Sequence, residues 1–228
     1  MSKKTQANTI NATYTLHDHV LEVVDDVKYL GVTISGNLRW DTHVSNIVNK
    51  ANSTLAVLKR NVKVPSQNIK SAAYKALIRP HLEYCSTVWD PSTKILKNKI
   101  ENVQRRSARW VCDSYRYGPN TTGPTAMMQH LGWPLLETRR KIARLTLLYK
   151  MANNLVLMSY CSLLIPYPYS TQSMPLHAFV PLDKHPHKNY YASTFFPQTI
   201  RDWNSLPADV ANAVSLEAFK TSVRAVFP

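Results

Sequence analysis

Apolar positions follow two different rhythms along the chain. Over residues 13–34 they come in short β-branched and aromatic runs: Thr13 to Leu16, a polar break at His17-Asp18-His19, then Val20, Leu21, Val23 and Val24, and finally Val27 to Ile34. Such runs predict two or three antiparallel strands, followed by a turn at Ser35-Gly36-Asn37. From residue 41 the spacing changes to three and four. Val44, Ile47, Val48, Ala51, Leu55 and Leu58 make one stripe at a 3.6-residue period, with Asp41 as the expected N-cap. Pro65-Ser66 restarts the chain into a second helix carrying Ile69, Ala73, Leu77 and Leu82, which Pro80 kinks or ends, and Asp90-Pro91 closes that unit. A third helix, over about 93–115, places Leu96, Ile100, Val103, Ser107 and Trp110 on one face. At 100° per residue, Lys94, Arg105, Arg109 and Arg116 fall roughly opposite.

A loop is expected from Gly118 to Gly123, then short helices over Thr125–Leu131 and Pro134–Asn153. The second of these carries Arg139, Arg140, Lys141 and Arg144 beside an expected core face of Leu135, Ile142, Leu145 and Tyr149. After residue 165 the texture changes. Pro166, Pro168, Pro175, Pro181, Pro186, Pro197 and Pro207 make up half of the 14 prolines, which predicts an irregular arm with short ordered pieces. Ser215 to Phe227 reads as a final helix, capped by Ser215, with Leu216, Phe219, Val223 and Phe227 inward. The fold class expected is mainly α with a small N-terminal antiparallel β hairpin or meander.

Charge changes this picture most. The 228 residues hold 28 Lys and Arg against 14 Asp and Glu, a net +14, which favours a polyanionic partner. The excess is local: residues 50–79 carry seven Lys and Arg and no acid, and residues 94–116 carry seven against Glu101 and Asp113. Lys59, Arg60, Lys63, Lys94, Arg105, Arg109, Arg116, Arg140 and Arg144 are the candidate phosphate contacts, with a solvated helix face as the plainer reading of each. Trp89, Trp110, Trp133 and Trp203 sit at helical spacing and are expected to pack rather than stack on bases. No apolar run of about 18 residues occurs, so no membrane span is expected. The first residues have no following apolar stretch, which predicts an intracellular protein of nucleus or cytoplasm that is not secreted. The three cysteines, Cys85, Cys112 and Cys161, read as reduced thiols. His81 and Cys85 are four apart on an expected helix, but no second ligand pair has suitable spacing, and no metal site is expected. Nucleophile elbows, P-loops and dinucleotide fingerprints are absent from the sequence.

Several strings then add a resemblance. They are Lys28-Tyr29-Leu30-Gly31-Val32, Trp40-Asp41-Thr42-His43, Arg79-Pro80-His81-Leu82-Glu83-Tyr84, Val88-Trp89-Asp90-Pro91, and Ile100-Glu101-Asn102-Val103-Gln104-Arg105-Arg106. Further on come Leu131-Gly132-Trp133, Leu136-Glu137-Thr138-Arg139-Arg140, Phe195-Phe196-Pro197-Gln198-Thr199-Ile200 and Trp203-Asn204-Ser205-Leu206-Pro207. In order and spacing they resemble the C-terminal part of reverse transcriptases of LINE-type, non-LTR retrotransposons of the jockey and CR1 kind. Lys4 resembles the lysine of the block before the grip.

The resemblance implies a primer grip at Tyr29, Leu30 and Gly31, which holds the primer 3′ end, and a helical thumb that clamps an RNA/DNA template–primer duplex. It implies four regions: a β primer-grip remnant over 1–38, a helical thumb-like domain over 39–116, a basic helical extension over 117–164, and a Pro-rich arm with a C-terminal helix over 165–228. In that family two metal ions about 3.5–4 Å apart are held by palm carboxylates, from a Tyr-x-Asp-Asp turn and another aspartate upstream of the grip. Only 28 residues precede Tyr29, too few for that site. The expectation is therefore a chain that holds nucleic acid but is not an active polymerase alone, with no cofactor of its own, because magnesium would require the missing palm. A separate palm-containing chain is a second expected partner. Asp25-Asp26 reads as a solvated turn or strand edge rather than a catalytic pair. Two other readings stand beside this one: a helical interaction module for an acidic protein, and the non-functional product of a decayed element. The latter predicts exposed apolar surface near residues 14–34.

Overall fold

The computed structural model describes residues 13–63, 65–115, 123–157, 164–166, 178–180 and 189–227. It is mainly α-helical with two small antiparallel strand pairs near the N-terminus, a mainly α, α+β arrangement. Strand β1 (Thr15–Leu16) pairs with β2 (His19–Val20), and β3 (Asp26–Tyr29) with β4 (Val32–Ser35). The run from Val27 to Ile34 is thus a hairpin rather than one strand, with Tyr29 opposite Val32. Leu30 and Gly31 form its two-residue turn at φ of 45° and 85°, the positive values that let such a turn match the twist of its strands. Val32 is buried, but Tyr14, Leu16, Val20, Val23, Val24 and Val27 are all exposed. This is the apolar surface expected near residues 14–34.

Helix α1 (Asp41–Asn61) buries Val44, Ala51, Leu55 and Leu58, with Ile47 and Val48 partly covered. Asp41 is not its N-cap. Trp40 holds that position, and Asp41 lies in the first turn, 3.0 Å from the Arg39 guanidinium. The second expected helix is a composite. Helix α2 (Gln67–Ala73) runs through a π-helical segment, Tyr74–Ile78, into α3 (Arg79–Glu83). In an α-helix the Pro80 ring would strike the carbonyl four residues back; the wide π turn just before it removes that clash. The wide turn also resets the buried face, which is Lys70, Tyr74, Ile78 and Leu82, while the expected Ile69 and Leu77 are exposed. Because α3 ends at Glu83 and Cys85 adopts φ 51°, His81 and Cys85 do not share a helix face.

Helix α4 (Ser86–Trp89) leads to α5 (Lys94–Val111), whose Leu96, Ile100, Val103, Ser107 and Trp110 are all buried. Helix α6 (Pro124–His130) adds Met127 and Met128 to the same core. Tyr74 stacks on Trp133 with ring centroids 4.0 Å apart and donates to Gln104 Oε1 at 2.7 Å. Gln104 in turn donates to the Pro134 carbonyl at 2.9 Å, so its buried amide is used on both sides.

Helix α7 (Leu136–Ala152) joins two cores: Leu136 belongs to the first, while Leu145, Leu148 and Tyr149 belong to a second. The second is built with α9 (Phe195–Asn204), α10 (Ala208–Ala211) and α11 (Leu216–Val226), after a short α8 (Asn189–Ala192). Trp203, Val210, Phe219 and Val223 fill it. Of the proline-rich stretch, Pro168, Pro175, Pro181 and Pro186 lie outside the described residues, while residues 189–227 are largely helical. Pro197 lies in the first turn of α9 and Pro207 just before α10, where a missing N–H has no intrahelical partner to lose. The Ser215 hydroxyl caps α11, accepting from the Ala218 amide at 3.2 Å. Trp89, Trp110, Trp133 and Trp203 are all buried, as packing residues.

Candidate nucleic-acid interface

The β3–β4 hairpin is fixed at both ends by side chains the helices supply. At its tip the Tyr84 hydroxyl donates to the Leu30 carbonyl at 3.1 Å. A Cβ at Gly31 would come within 3.1 Å of the Tyr84 ring. The glycine is thus required by its positive φ and by an aromatic neighbour inside the protein. Tyr29 and Leu30 stay 65% and 73% exposed at this tip. Toward its base, in β4, the Thr33 amide donates to His43 Nδ1 at 3.1 Å, and Asn46 reaches the Thr33 hydroxyl at 3.4 Å. Asp25 and Asp26 lie at the start of β3, both exposed, and the Asp25 carbonyl accepts from the Gly36 amide at 2.7 Å.

From this base one face of α1 leads away. At 100° per residue Asn46, Lys50, Ser53, Val57 and Arg60 form one stripe, and all five are exposed. Beside its far end α5 packs against α1 and brings in a second set of cations. Arg106 donates to Asn52 Oδ1 across the two helices at 3.3 Å. Lys59 lies close enough to Arg106 that burial, and then the Arg106 charge, lower its pKa. Its ammonium stands 5.4 Å from the Tyr115 ring centroid. Lys59, Arg60, Lys63 and Arg106 form no salt bridge among the described residues, while the Arg105 charge reaches Glu101. The two acids of the neighbouring sequence are engaged elsewhere. Asp113 takes Lys70 at 2.6 Å, and Glu101 accepts the Glu137 amide at the start of α7 at 2.8 Å.

The expected phosphate contacts separate accordingly. Lys59, Arg60 and Lys63 gather at the end of α1, with Arg105 and Arg109 half-buried on α5. Lys94 is exposed at the opposite end of α5, about 22 Å from Arg109 along the helix. Arg116 and Lys4 lie outside the described residues. Arg140 and Arg144 are corrected outright: they are 0% and 3% exposed and cannot reach a phosphate. Arg140 pairs with Asp90 at 2.7 Å, and Arg144 bridges Asp90 at 3.0 Å and Asp202 at 3.1 Å. Lys141 closes the cluster on Asp202 at 3.1 Å, and Arg139 is paired with Glu83. The helix phase explains this, since the buried side of α7 runs through Leu136, Arg140, Arg144 and Leu148, leaving Leu135 exposed. Arg106 shares the expected cationic face of Arg105 and Arg109, but nothing in the sequence pairs it with Asn52. Their meeting depends on how α1 and α5 cross, which the sequence pattern does not specify.

His43 makes the hairpin's seat sensitive to acid. It sits between Trp40 and Trp89, 6.3 and 5.1 Å away by ring centroids, and burial lowers its pKa below 6.5. Its Nδ1 must stay unprotonated to accept the Thr33 amide. His81 is lowered too, by burial and then by Lys50. A histidine lowered in the fold binds fewer protons than in the unfolded chain, so its stabilising contribution is full above pH 6.5 and is lost as pH falls through the folded value. Urea unfolding from about pH 7 to about pH 5 should show falling stability, with a smaller slope for His43→Gln. An unchanged slope in the variant would remove His43 from the account. Glu101, raised by burial, contributes oppositely but equally in both proteins.

Comparison of the chain with family models, curated proteins and solved structures gives no match. Among the described residues no three His, Cys, Asp or Glu side chains gather so as to hold a metal ion, and no helix is long and apolar enough to cross a membrane.

Proposed function

We propose that this chain holds an RNA–DNA template–primer duplex as the grip and thumb portion of a LINE-type retroelement reverse transcriptase, and that bond formation belongs to a palm outside these 228 residues. The observation that carries the reading is the Lys59–Arg106 pair. Two cations are brought together across a helix interface, one of them partly desolvated, with no acid among the described residues to offset them. A polyanion lying over α1 and α5 would convert that repulsion into attraction. The spacing fits a duplex. Asn46 and Arg60, on one stripe of α1, are fourteen residues apart, about 21 Å along its axis, which is about six base steps. The hairpin tip would meet the primer end, with Tyr29 and Leu30 exposed for contact. The apolar faces of β1, β2 and β3 would meet that palm.

With about six phosphates neutralised, log affinity for an RNA–DNA hybrid should fall against log salt with a slope near −5. Filter binding across a salt series measures it, and a flat response rules out phosphate contacts as the source of affinity. Primer extension with magnesium should incorporate nothing, and an extended product would contradict the division of labour proposed.

A further inference from the structure

We propose that the groove between α6, α7 and α11 binds an acidic amphipathic helix of a partner protein. The groove is open and holds about 1010 Å³, at the upper end of the roughly 300–1,000 Å³ of small-molecule pockets. Its floor is apolar and drawn from both cores, with Met128, Trp133, Ile142, Leu147 and Phe227 facing it. Such a floor suits a row of aliphatic side chains better than a phosphate backbone.

The rim decides the chemistry of the occupant. Lys150, Lys220 and Arg224 border the groove at its α7–α11 end. They share one acid: Lys220 is 2.7 Å from Glu217, and the charges of Arg224 and Lys150 also reach that carboxylate. On the other rim Arg139 is already paired with Glu83. The surplus positive charge therefore sits at one end of an apolar trough. An amphipathic helix with aliphatic anchors at i, i+3, i+4 and i+7 and glutamates at one flank complements both features. None of the lining residues belongs to the Lys59–Arg106 patch.

Fluorescence anisotropy on the full chain tests the pairing. The probe is a labelled helical peptide of Leu, Ala and Glu with leucines at those spacings, compared with a permuted peptide of the same composition. The patterned peptide should bind at least about tenfold more tightly than the permuted one. Lys150→Glu with Arg224→Glu should weaken it about tenfold or more, and Lys59→Glu should not affect it. Thermal melts of the rim variant, both of whose sites are at the surface, establish that the fold is intact. Equal binding of the permuted peptide, or indifference to the rim reversal, would overturn the proposal. So would displacement of the peptide by an RNA–DNA hybrid, or rim-dependent binding of phosphatidylserine vesicles in place of the peptide.

Discussion

Asp90→Asn should destabilise the protein by about 3–5 kcal/mol, the cost of leaving buried charge without its partner. Asp90 is the one acid paired with Arg140 and the bridge to Arg144, and all three side chains are almost wholly buried. Arg140 Nη1 and Nη2 already lack hydrogen-bond partners, so its direct ion pair is with Asp90, and Glu101 reaches it only through space. Asp202 cannot take over, because it is engaged by Lys141 and Arg144. The loss is about a fifth or more of the roughly 5–15 kcal/mol that holds a typical domain. Urea unfolding with unchanged m-value reads it directly. Asp41→Asn, which touches only the solvent-exposed Arg39 pair, should leave the midpoint in place. Replacing the trio together, Asp90→Leu with Arg140→Met and Arg144→Leu, should recover most of the stability, since well-packed apolar groups substitute for a buried ion cluster and Lys141 still serves Asp202. If Asp90→Asn behaves like Asp41→Asn, the cluster is hydrated rather than buried.

That cluster also marks where the sequence stops being readable. In α5 the apolar core positions follow from spacing, because Leu96, Ile100, Val103 and Trp110 are themselves the signal, whereas the buried Glu101 and Gln104 do not. In α7 the inward positions include two arginines, which any hydrophobic pattern assigns to solvent. Their partners, Asp90 and Asp202, lie 50 and 58 residues away. The composite helix fails for another reason. There a lysine, Lys70, holds an inward position against Asp113 while Ile69 and Leu77 face solvent, the reverse of what apolar spacing assigns. The prolines mislead by position: Pro197 begins a helix rather than preventing one. At the candidate site, the hairpin tip and the cations at the end of α1 are visible in the chain. The partnership of Lys59 with Arg106 is not, because it depends on the crossing of two helices.

Reversing that partnership should cost nucleic-acid binding while leaving the fold as stable or more so. Lys59 and Arg106 repel one another in the folded chain, and Lys59 is lowered by burial and by that repulsion. Lys59→Glu replaces the repulsion with an attraction, so the melting temperature should hold or rise. Arg106→Glu should act in the same direction. The double variant restores a like-charge pair of the opposite sign, and its stability should return toward wild type. Binding should behave differently. Each single variant removes one phosphate contact and flattens the salt slope by about one. The double variant should lose about a hundredfold in affinity for an RNA–DNA hybrid, roughly tenfold per contact. Lys94→Glu, at the far end of α5, should do much less. A structural role for the two cations predicts the reverse pattern, with stability changing and binding unmoved. Stability and affinity, measured on the same three variants, therefore move apart if the α1–α5 face is a nucleic-acid surface, because only an external polyanion gives two juxtaposed cations a favourable partner.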